Sequence, residues 1–264
     1  MSAVKTALTI AGSDPSGGAG IQADLKTFSR LRIYGMSVIT SLTAQNTYKV
    51  EGIMEIPPDF VGRQFDALLT DIHVDAAKTG MLLTSGVIEV VAQKIRDYTI
   101  RNLVVDPVLT STSGTALLNP DAIATFQRML LPLALVITPN TDEARVLTGK
   151  KIENVEDMEE AALRIYEMGA RSVLIKGGHL TGDDAIDVLF DGTVFSHLRR
   201  RRIDRGQTHG TGCVLSAAIT AGLAAGRSLA EAVNAGKDFV TAAIEHGLRL
   251  GKGASPCDPL ALED

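Results

Sequence analysis

Short apolar runs alternate with amphipathic helical segments along most of this 264-residue chain. The apolar runs have the length of buried strands, and the segments between them follow the helical period. This alternation predicts parallel strands joined by crossover helices that cover both faces of one sheet. The predicted strands cover residues 7–11, 38–42, 76–78, 103–105, 135–137 and 173–175. The predicted helices cover residues 19–32, 59–69, 85–98, 120–130, 141–148, 155–168, 212–225 and 229–248.

Two segments depart from the alternation. Residues 48–56 read as a strand or hairpin inserted before Pro57-Pro58, and residues 186–202 hold two β-rich runs around Asp191-Gly192, which is a hairpin signal. No internal repeat, low-complexity tract or linker interrupts the chain. We therefore expect a single domain over residues 1–264, with a small strand insertion near 48–56.

Charge and composition exclude several classes of protein. The formal net charge is −5, whereas nucleic-acid binding requires clustered positive charge. No apolar stretch approaches the roughly twenty residues of a membrane span, and the first apolar run is too short for a signal peptide. The two cysteines, Cys213 and Cys257, lack metal-ligand spacing, which indicates a reducing compartment without structural zinc. We expect a cytoplasmic protein that binds neither nucleic acid nor membrane.

A run of four arginines at positions 199–202 is the main exception to the acidic charge, and Arg205 follows it closely. Its position before a glycine-rich turn would allow it to attract a polyphosphate. The simpler interpretation is the solvated face of an edge strand, and we favour it.

Residues 208–213 read Thr-His-Gly-Thr-Gly-Cys and lead directly into a helix of small residues. Gly210 and Gly212 allow a tight turn, and the first N–H groups of the helix have no partner within it. Together with the helix dipole, these groups form a place to bind an anion. The Cys213 thiol at this end should have a pKa below its ordinary value of about 8.5 and accept a proton at neutral pH. The simpler alternative is a glycine N-cap beside a buried, inert cysteine.

Charged residues follow three of the predicted strands, where ligands of an open parallel sheet bind. Asp106 and Glu143 are the carboxylates best placed for Mg²⁺, which takes oxygen ligands. Asp106 could instead belong to an ordinary Asp-Pro turn, and Glu143 could complete a capping box with Asn140 or Thr141. Lys176, between an apolar run and two glycines, is either a phosphate contact or an ordinary surface lysine.

The first glycine-rich loop covers residues 12–20 and connects a predicted strand to a predicted helix. It matches neither G-x-x-x-x-G-K-[ST] nor G-x-G-x-x-G, so it is not a standard phosphate or dinucleotide loop. It could enclose a substrate or bind an anion.

Seven motifs, in this order, resemble the hydroxymethylpyrimidine/phosphomethylpyrimidine kinases of thiamine biosynthesis, which belong to the ribokinase superfamily. They are GSDPSGGAGIQAD at 12–24, AQNT at 44–47, KTGM at 78–81, DPV at 106–108, NTDE at 140–143, KGGH at 176–179 and HGTGC at 209–213. Each motif is weak alone, but the set spans nearly the whole chain and is specific. The resemblance implies a three-layer α/β/α sandwich with a mainly parallel central sheet. It also implies that ATP and Mg²⁺ are used to phosphorylate 4-amino-5-hydroxymethyl-2-methylpyrimidine, and then its monophosphate to the pyrophosphate.

The same resemblance assigns roles to individual residues. Cys213 corresponds to the aspartate base of most ribokinase relatives, beside an anion hole formed by Gly210, Thr211 and Gly212. Asp106 and Glu143 would organise the metal. The residues implied to bind ATP and its phosphates are Asn140, Lys176, Thr208 and Lys237. The residues implied to line the pyrimidine site are Gly12, Asp24, Gln45, Gly80, Met81 and Val108. The Gln45 amide can accept from an exocyclic amine and donate to the adjacent ring nitrogen.

Two other functions remain open. Relatives with a Gly-Thr-Gly-Cys turn also phosphorylate the hydroxymethyl group of vitamin B6, so the nearest alternative is a pyridoxal or pyridoxine kinase. Gln45 and Met81 favour the pyrimidine. A non-catalytic pyrimidine-binding protein is the other alternative, but a binding protein would not need the charged and reactive residues Asp106, Glu143, Lys176 and Cys213.

Two further expectations rest on the resemblance. Relatives commonly pair an insertion like residues 48–56 with that of a second subunit, which implies a homodimer. The C-terminal run GASPCDP at 253–259 departs from the Gly-Pro-x-x-His pattern that is common in the family.

Overall fold

The computed structural model describes residues 4–110, 114, 117–178, 180–203 and 208–261. The strands are β1 (Thr6–Ser13), β2 (Tyr34–Gln45), β3 (Val50–Glu55), β4 (Ala76–Thr79), β5 (Leu103–Val105), β6 (Val136–Ile137), β7 (Val173–Ile175), β8 (Asp184–Phe190), β9 (Phe195–Arg201), β10 (Thr208–His209) and β11 (Ser255–Pro256). The α-helices are α1 (Gly20–Arg30), α2 (Pro58–Leu69), α3 (Ser85–Asp97), α4 (Ile123–Met129), α5 (Thr141–Thr148), α6 (Val155–Glu167), α7 (Thr211–Ala224) and α8 (Leu229–Glu245).

In the described part of the chain, nine strands form one sheet in the order β3-β2-β1-β4-β5-β6-β7-β8-β9. Neighbouring strands from β2 to β7 are parallel. The edges are antiparallel, because β3 pairs with β2 at one side and the β8–β9 hairpin pairs with β7 at the other. The short strands β10 and β11 pair with each other in parallel, apart from the main sheet.

Alternate side chains of the buried strands enter hydrophobic cores on opposite faces of the sheet. In β5, Leu103 and Val105 pack into the core that includes α2 to α6, whereas Val104 packs into the core that includes α1, α7 and α8. A strand that is buried on both faces reads as a continuous apolar run, which explains the sequence pattern. The predicted three-layer α/β/α fold with a mainly parallel sheet is confirmed.

Helix α7 is buried on all sides from Val214 to Ala224. It packs against α8 and α1 and crosses β1, β4 and β5. A helix that is apolar all round is fixed by the core that encloses it. Its N-terminus is therefore held at the carboxyl ends of the central strands.

The structure differs from the predicted elements at several boundaries. Strand β2 continues to Gln45, because residues 41–45 pair with β3, the strand that lies within the predicted insertion. The helix predicted over residues 120–130 begins as a 3-10 turn at Pro120–Ala122 and is α-helical only over Ile123–Met129. The last helix ends at Glu245 rather than at residue 248. The hairpin predicted around Asp191 is confirmed as β8 and β9.

Among the described residues, no helix combines the length and the apolar character that crossing a membrane requires.

Candidate active site

The carboxyl ends of β5 and β7 and the N-terminus of α7 meet at one point. Lys176 Nζ lies 3.1 Å from Asp106 Oδ1 and 3.9 Å from Glu143 Oε2. A Cβ atom added to Gly212 would lie 3.2 Å from Lys176 Nζ and 3.6 Å from Asp106 Oδ2. The glycine-rich turn thus faces the same small space as one ammonium group and two carboxylates.

Hydroxyl groups from two other elements hold the buried Asp106 carboxylate. Thr138 Oγ1 donates to Asp106 Oδ1 at 3.3 Å, and Ser216 Oγ of α7 donates to Asp106 Oδ2 at 3.2 Å. An ordinary Asp-Pro turn would not need these contacts. They fix the carboxylate relative to the helix that begins at the glycine-rich turn.

Glu143 completes a capping box at the start of α5. The Asn140 N–H donates to Glu143 Oε2 at 2.8 Å, and the Glu143 N–H donates to Asn140 Oδ1 at 2.9 Å. The capping-box alternative is confirmed, with Asn140 as the cap. Burial raises the pKa of Glu143 and Asp106 raises it further, whereas Lys176 and backbone N–H groups oppose the rise. A carboxylate in this environment would be stabilised in its charged form by a cation.

Lys176 is not an ordinary surface lysine. Its side chain is only 14% exposed, and it lies between the two carboxylates. Burial alone would lower its pKa, but Asp106 and Glu143 reverse the effect and raise the pKa above its usual value. Lys176 therefore keeps its positive charge at neutral pH.

The turn before α7 requires glycine at position 210. Gly210 is the N-cap of α7 with φ +79°, and a Cβ atom there would collide with the carbonyl oxygen of Gly18. Gly210, Thr211, Gly212 and Cys213 are all partly exposed, so solutes can reach the turn. The turn also brings the first glycine-rich loop against the start of α7.

The expected low pKa of Cys213 is wrong. Although the residue as a whole keeps some exposed surface, the thiol is surrounded by protein atoms, and this desolvation raises its pKa to about 12. Asp24 and Asp106 contribute to the rise against Lys78 and the Gly20 N–H. The sequence shows a helix N-terminus, which favours the thiolate, but it shows neither the burial nor the nearby carboxylates. Cys213 is thus a neutral thiol at neutral pH in this state of the site.

A buried ion pair, which the sequence analysis missed, lies beside Cys213. Lys78 Nζ is 2.9 Å from both carboxylate oxygens of Asp24, and Thr9 Oγ1 donates to Asp24 Oδ2 at 2.6 Å. Both charged side chains are completely buried. A Cβ atom added to Gly80 would lie 3.6 Å from Lys78 Nζ. Neither charged group has exposed surface, so the predicted direct contact of Asp24 with a pyrimidine is not available in this structure, and the pair lies beneath the site as a buried support.

Replacing Lys78 with Met should destabilise the fold strongly. The Asp24 carboxylate would remain buried without a counter-ion, a situation that typically costs about 3–5 kcal/mol. Urea denaturation should show this loss of unfolding free energy. The matched control is Lys94→Met, because Lys94 pairs with the partly exposed Asp66, and a solvent-screened pair of this kind should contribute far less to stability. Equal losses in the two variants would show that the buried pair has no special role.

Several residues implied to line the pyrimidine site lie close together. A Cβ atom on Gly12 would lie 2.6 Å from Ser41 Oγ and 3.3 Å from Met81 Sδ, so a larger residue would not fit. Thr40 Oγ1 donates to the Met81 carbonyl at 2.6 Å. Val108 has φ +41°, which is a strained conformation for a β-branched residue and occurs most often at functional sites.

Gln45 lies at the end of β2, beside a hydrogen-bonded pair that sequence reasoning did not assign. The Gln45 amide is 3.3 Å from His209 Nε2, which is 2.9 Å from Asp14 Oδ2. Asp14 and His209 belong to motifs at opposite ends of the chain. Only the fold reveals their contact.

Two other residues that the resemblance assigns to phosphate binding, Thr208 and Lys237, are engaged in contacts within the protein. Thr208 lies in β10 and pairs with Ser255. Lys237 is mostly buried, and its Nζ donates to Asp187 Oδ2 at 2.8 Å. Asp187 Oδ1 accepts the Gly177 N–H at 3.0 Å, so Lys237 reaches the turn after Lys176 through Asp187.

The arginine run is largely engaged within the protein. Arg199 donates to the Asp184 side chain, and Arg200 donates to Asp238 and Asn234. Arg202 donates to the carbonyl oxygens of Gly182 and Asp184. These contacts support the interpretation as a solvated strand face. Arg205 and His179, which belong to predicted motifs, lie outside the described residues.

Comparison with known proteins agrees with this geometry. The sequence profile of the phosphomethylpyrimidine kinase family matches residues 14–258. The hydroxymethylpyrimidine/phosphomethylpyrimidine kinase of Bacillus subtilis is 45% identical over 258 residues, with 97% of this chain and 95% of that protein covered. A thiamine biosynthesis bifunctional protein of Geobacter sulfurreducens is 49% identical over 258 residues, which cover 97% of this chain but about half, 53%, of that longer protein.

A known structure shares the fold. The structure of an ADP complex of Bacillus subtilis pyridoxal kinase superposes with a TM-score of 0.91 at 42% identity, and the match covers 98% of both chains. The fold, the profile and these identities together show that the chain belongs to the phosphomethylpyrimidine kinase family.

Proposed function

We propose that this chain uses ATP to phosphorylate 4-amino-5-hydroxymethyl-2-methylpyrimidine and then its monophosphate, giving the pyrophosphate for thiamine biosynthesis. The observation that carries the proposal is the meeting of Lys176, Asp106 and the Gly212 turn at the carboxyl end of the sheet. Phosphoryl transfer passes through a loose transition state, so catalysis consists mostly of positioning and of neutralising phosphoryl charge. This site offers an ammonium group, open helix N–H groups and two carboxylates for a metal.

The phosphate half of the site fits Mg²⁺. The Asp106 and Glu143 carboxylates both lie beside Lys176, and Mg²⁺ typically takes one or two carboxylates with phosphate oxygens and waters. Asp106 and Glu143 would hold the ion, which would neutralise charge on the transferred phosphoryl group. Lys176 would turn from Asp106 to phosphate oxygens of ATP. Asn140, Thr208, the first turn of α7 and, through Asp187, Lys237 would complete the phosphate site.

The pyrimidine half would be formed at the ends of β1, β2 and β4. Gly12, Gly80 and Met81 would provide the close-fitting wall, with Val108 at the border to the phosphates. The Gln45 amide would form hydrogen bonds with the edge of the aminopyrimidine. The buried Asp24–Lys78 pair would support the site from beneath Cys213. The hydroxymethyl group would then point towards the glycine-rich turn.

Replacing Gln45 with Leu should weaken pyrimidine binding and reduce discrimination against pyridoxal. Each polar group of the substrate that is left buried without a partner costs about 1–3 kcal/mol, which corresponds to roughly 5- to 150-fold in affinity. Calorimetry with the aminopyrimidine alcohol measures the loss directly. Gln93→Leu, on the exposed face of α3, is the matched control. Wild-type affinity in the Gln45 variant would remove this residue from the specificity role.

Pyridoxal kinase remains the second candidate function, because a pyridoxal kinase has nearly the same fold. An ADP-release assay with the aminopyrimidine alcohol, its monophosphate and pyridoxal separates the two. We expect the highest kcat/KM with the aminopyrimidine alcohol. A higher kcat/KM with pyridoxal would favour the second candidate.

A homodimer in the cytoplasm completes the proposal. Leu42 of β2 and Met54 of β3 face each other across the sheet edge and are 40% and 63% exposed, and Tyr48 nearby is 54% exposed. A second copy of the chain could cover this apolar edge. Sedimentation equilibrium would show the mass of a dimer, whereas a monomer at micromolar concentration would contradict it.

A further inference from the structure

His209 connects the first glycine-rich loop to Gln45, the side chain that is proposed to recognise the pyrimidine. It lies directly before Gly210 and is only 8% exposed. Its Nε2 atom is 2.9 Å from Asp14 Oδ2 and 3.3 Å from the Nε2 position of the Gln45 amide. One ring nitrogen is thus shared between two segments of the site.

The surroundings of Asp14 determine where the imidazole proton lies. The Asp14 carboxylate accepts the N–H groups of Ser16 and Ala19 at 2.9 and 3.0 Å and the Ser16 hydroxyl at 3.0 Å. Burial alone would raise the pKa of Asp14, but hydrogen bonds from His209 and Ser16 lower it overall. An ionised carboxylate only accepts hydrogen bonds. The hydrogen therefore resides on His209 Nε2.

This tautomer in turn determines the orientation of the Gln45 amide. The single Nε2 hydrogen points to Asp14 Oδ2 at 2.9 Å as its nearer acceptor, and the amide atom at 3.3 Å shares it as a weaker second partner. A second N–H donor cannot occupy that place, so the amide atom that faces His209 Nε2 must be the oxygen. The amide nitrogen then faces Thr43 Oγ1 at 3.2 Å, and Thr43 Oγ1 donates to the Ser13 carbonyl at 3.0 Å. One N–H of the amide thus has Thr43 Oγ1 as its acceptor, and the second N–H stays free of any partner among the described residues.

The imidazole ring is also held sterically. A Cβ atom on Gly18 would lie 2.7 Å from His209 Cδ2 and 3.1 Å from Pro256 Cβ. The Cys257 N–H donates to the His209 carbonyl at 3.2 Å. Pro256 and Cys257 belong to the atypical C-terminal run, so this segment helps to hold His209 in place.

We propose that His209, oriented by Asp14, is a positioning residue that fixes the Gln45 amide and so determines selectivity for the aminopyrimidine. With the amide fixed, its free oxygen lone pair and its remaining N–H keep defined positions towards the substrate and cannot exchange. The acceptor can then pair with an exocyclic amine while the donor pairs with the adjacent ring nitrogen. The inference rests on the proposed function and adds a second residue to its specificity.

The test compares His209→Leu, which has no donor, with His209→Gln, which keeps an N–H near the Nε2 position. We expect His209→Leu to raise KM for the aminopyrimidine alcohol by about tenfold or more, the effect of one lost buried hydrogen bond. KM for ATP should stay within about twofold, and His209→Gln should recover most of the loss. Selectivity against pyridoxal should fall in parallel. His197→Gln, on the exposed strand β9, is the control that should change nothing.

A double-variant cycle separates positioning from general structural damage. In a Gln45→Leu background, His209→Leu should add less than about twofold to KM, because both variants remove the same interaction. If the factors by which the two substitutions raise KM simply multiply in the double variant, the proposal is overturned. Equal increases in KM for ATP and for the pyrimidine would also overturn it. Asp14→Asn, which keeps the side-chain shape, provides a second probe if His209→Leu does not fold, and it should reproduce the loss of selectivity. A wild-type chain inactive on the alcohol would contradict the proposed function itself, independently of the variants.

Discussion

Asp106→Asn should lower Mg²⁺-dependent turnover by about 10²–10³-fold, the usual effect of removing a preorganised group that acts on transition-state charge. The substitution keeps the side-chain volume and can still contact Thr138 and Ser216. It removes the charge that would hold the metal and that pairs with Lys176. Steady-state kinetics over a range of Mg²⁺ concentrations, with unfolding temperatures measured in parallel, provide the readout.

Glu143→Gln separates a role of Glu143 in metal binding from its role in the capping box. Glutamine can complete a capping box as glutamate does, so α5 should keep its N-terminus and the chain its stability. If Glu143 also organises the metal, the variant should need much more Mg²⁺ and lose at least about tenfold in turnover. Near-normal activity at low Mg²⁺ would mean that Glu143 serves the capping box alone.

The second large effect is expected at Cys213 and separates the two phosphorylations. The first nucleophile is a neutral alcohol, which gains typically about 10²–10⁴-fold from a positioned base. The second is a phosphate monoester, which by analogy with protein phosphates has a second pKa of about 6 and is already ionised. Cys213 can be that base only as the thiolate, and if it acts in this way, Cys213→Ala should impair the first reaction far more than the second. Equal losses would mean that Cys213 acts by packing.

The raised pKa of Cys213 gives this prediction a pH dependence with a definite sign. With a pKa of about 12, the thiol is protonated at neutral pH, and its thiolate fraction grows about tenfold for each unit of pH. If the thiolate is the base, kcat of the first reaction should rise with that slope from pH 7 to 9 and become flat in Cys213→Ala. The second reaction should show no such rise. A flat wild-type profile for the first reaction would rule out the thiolate as the base.

The sequence predicts the fold well because strand burial and helix periodicity are local signals. Leu103 and Val105 of β5 face one core and Val104 faces the other, so all three residues are apolar and the strand reads as a continuous apolar run. The boundary of β2 was wrong because its last residues are strand only by pairing with β3. Pairing between segments is not encoded within either one alone.

The sequence predicts which side chains meet where each lies at the end of a strand, as for Asp106 and Lys176. It misses contacts between distant segments, as for His209 and Asp14, which are 195 residues apart. Lys78 did leave a signal, because a lysine inside the buried run of β4 requires a counter-ion. The Cys213 pKa was misjudged because desolvation depends on packing that no motif shows.

The central claim is that one site performs both phosphorylations on an aminopyrimidine. The most direct measurement incubates the purified chain with the aminopyrimidine alcohol, ATP and Mg²⁺ and follows the products by phosphorus NMR while counting ADP. We expect the monophosphate to appear first and the pyrophosphate to follow, with two ADP released for each alcohol consumed. Release of one ADP with the monophosphate as the final product, or no turnover of the alcohol, would contradict the account.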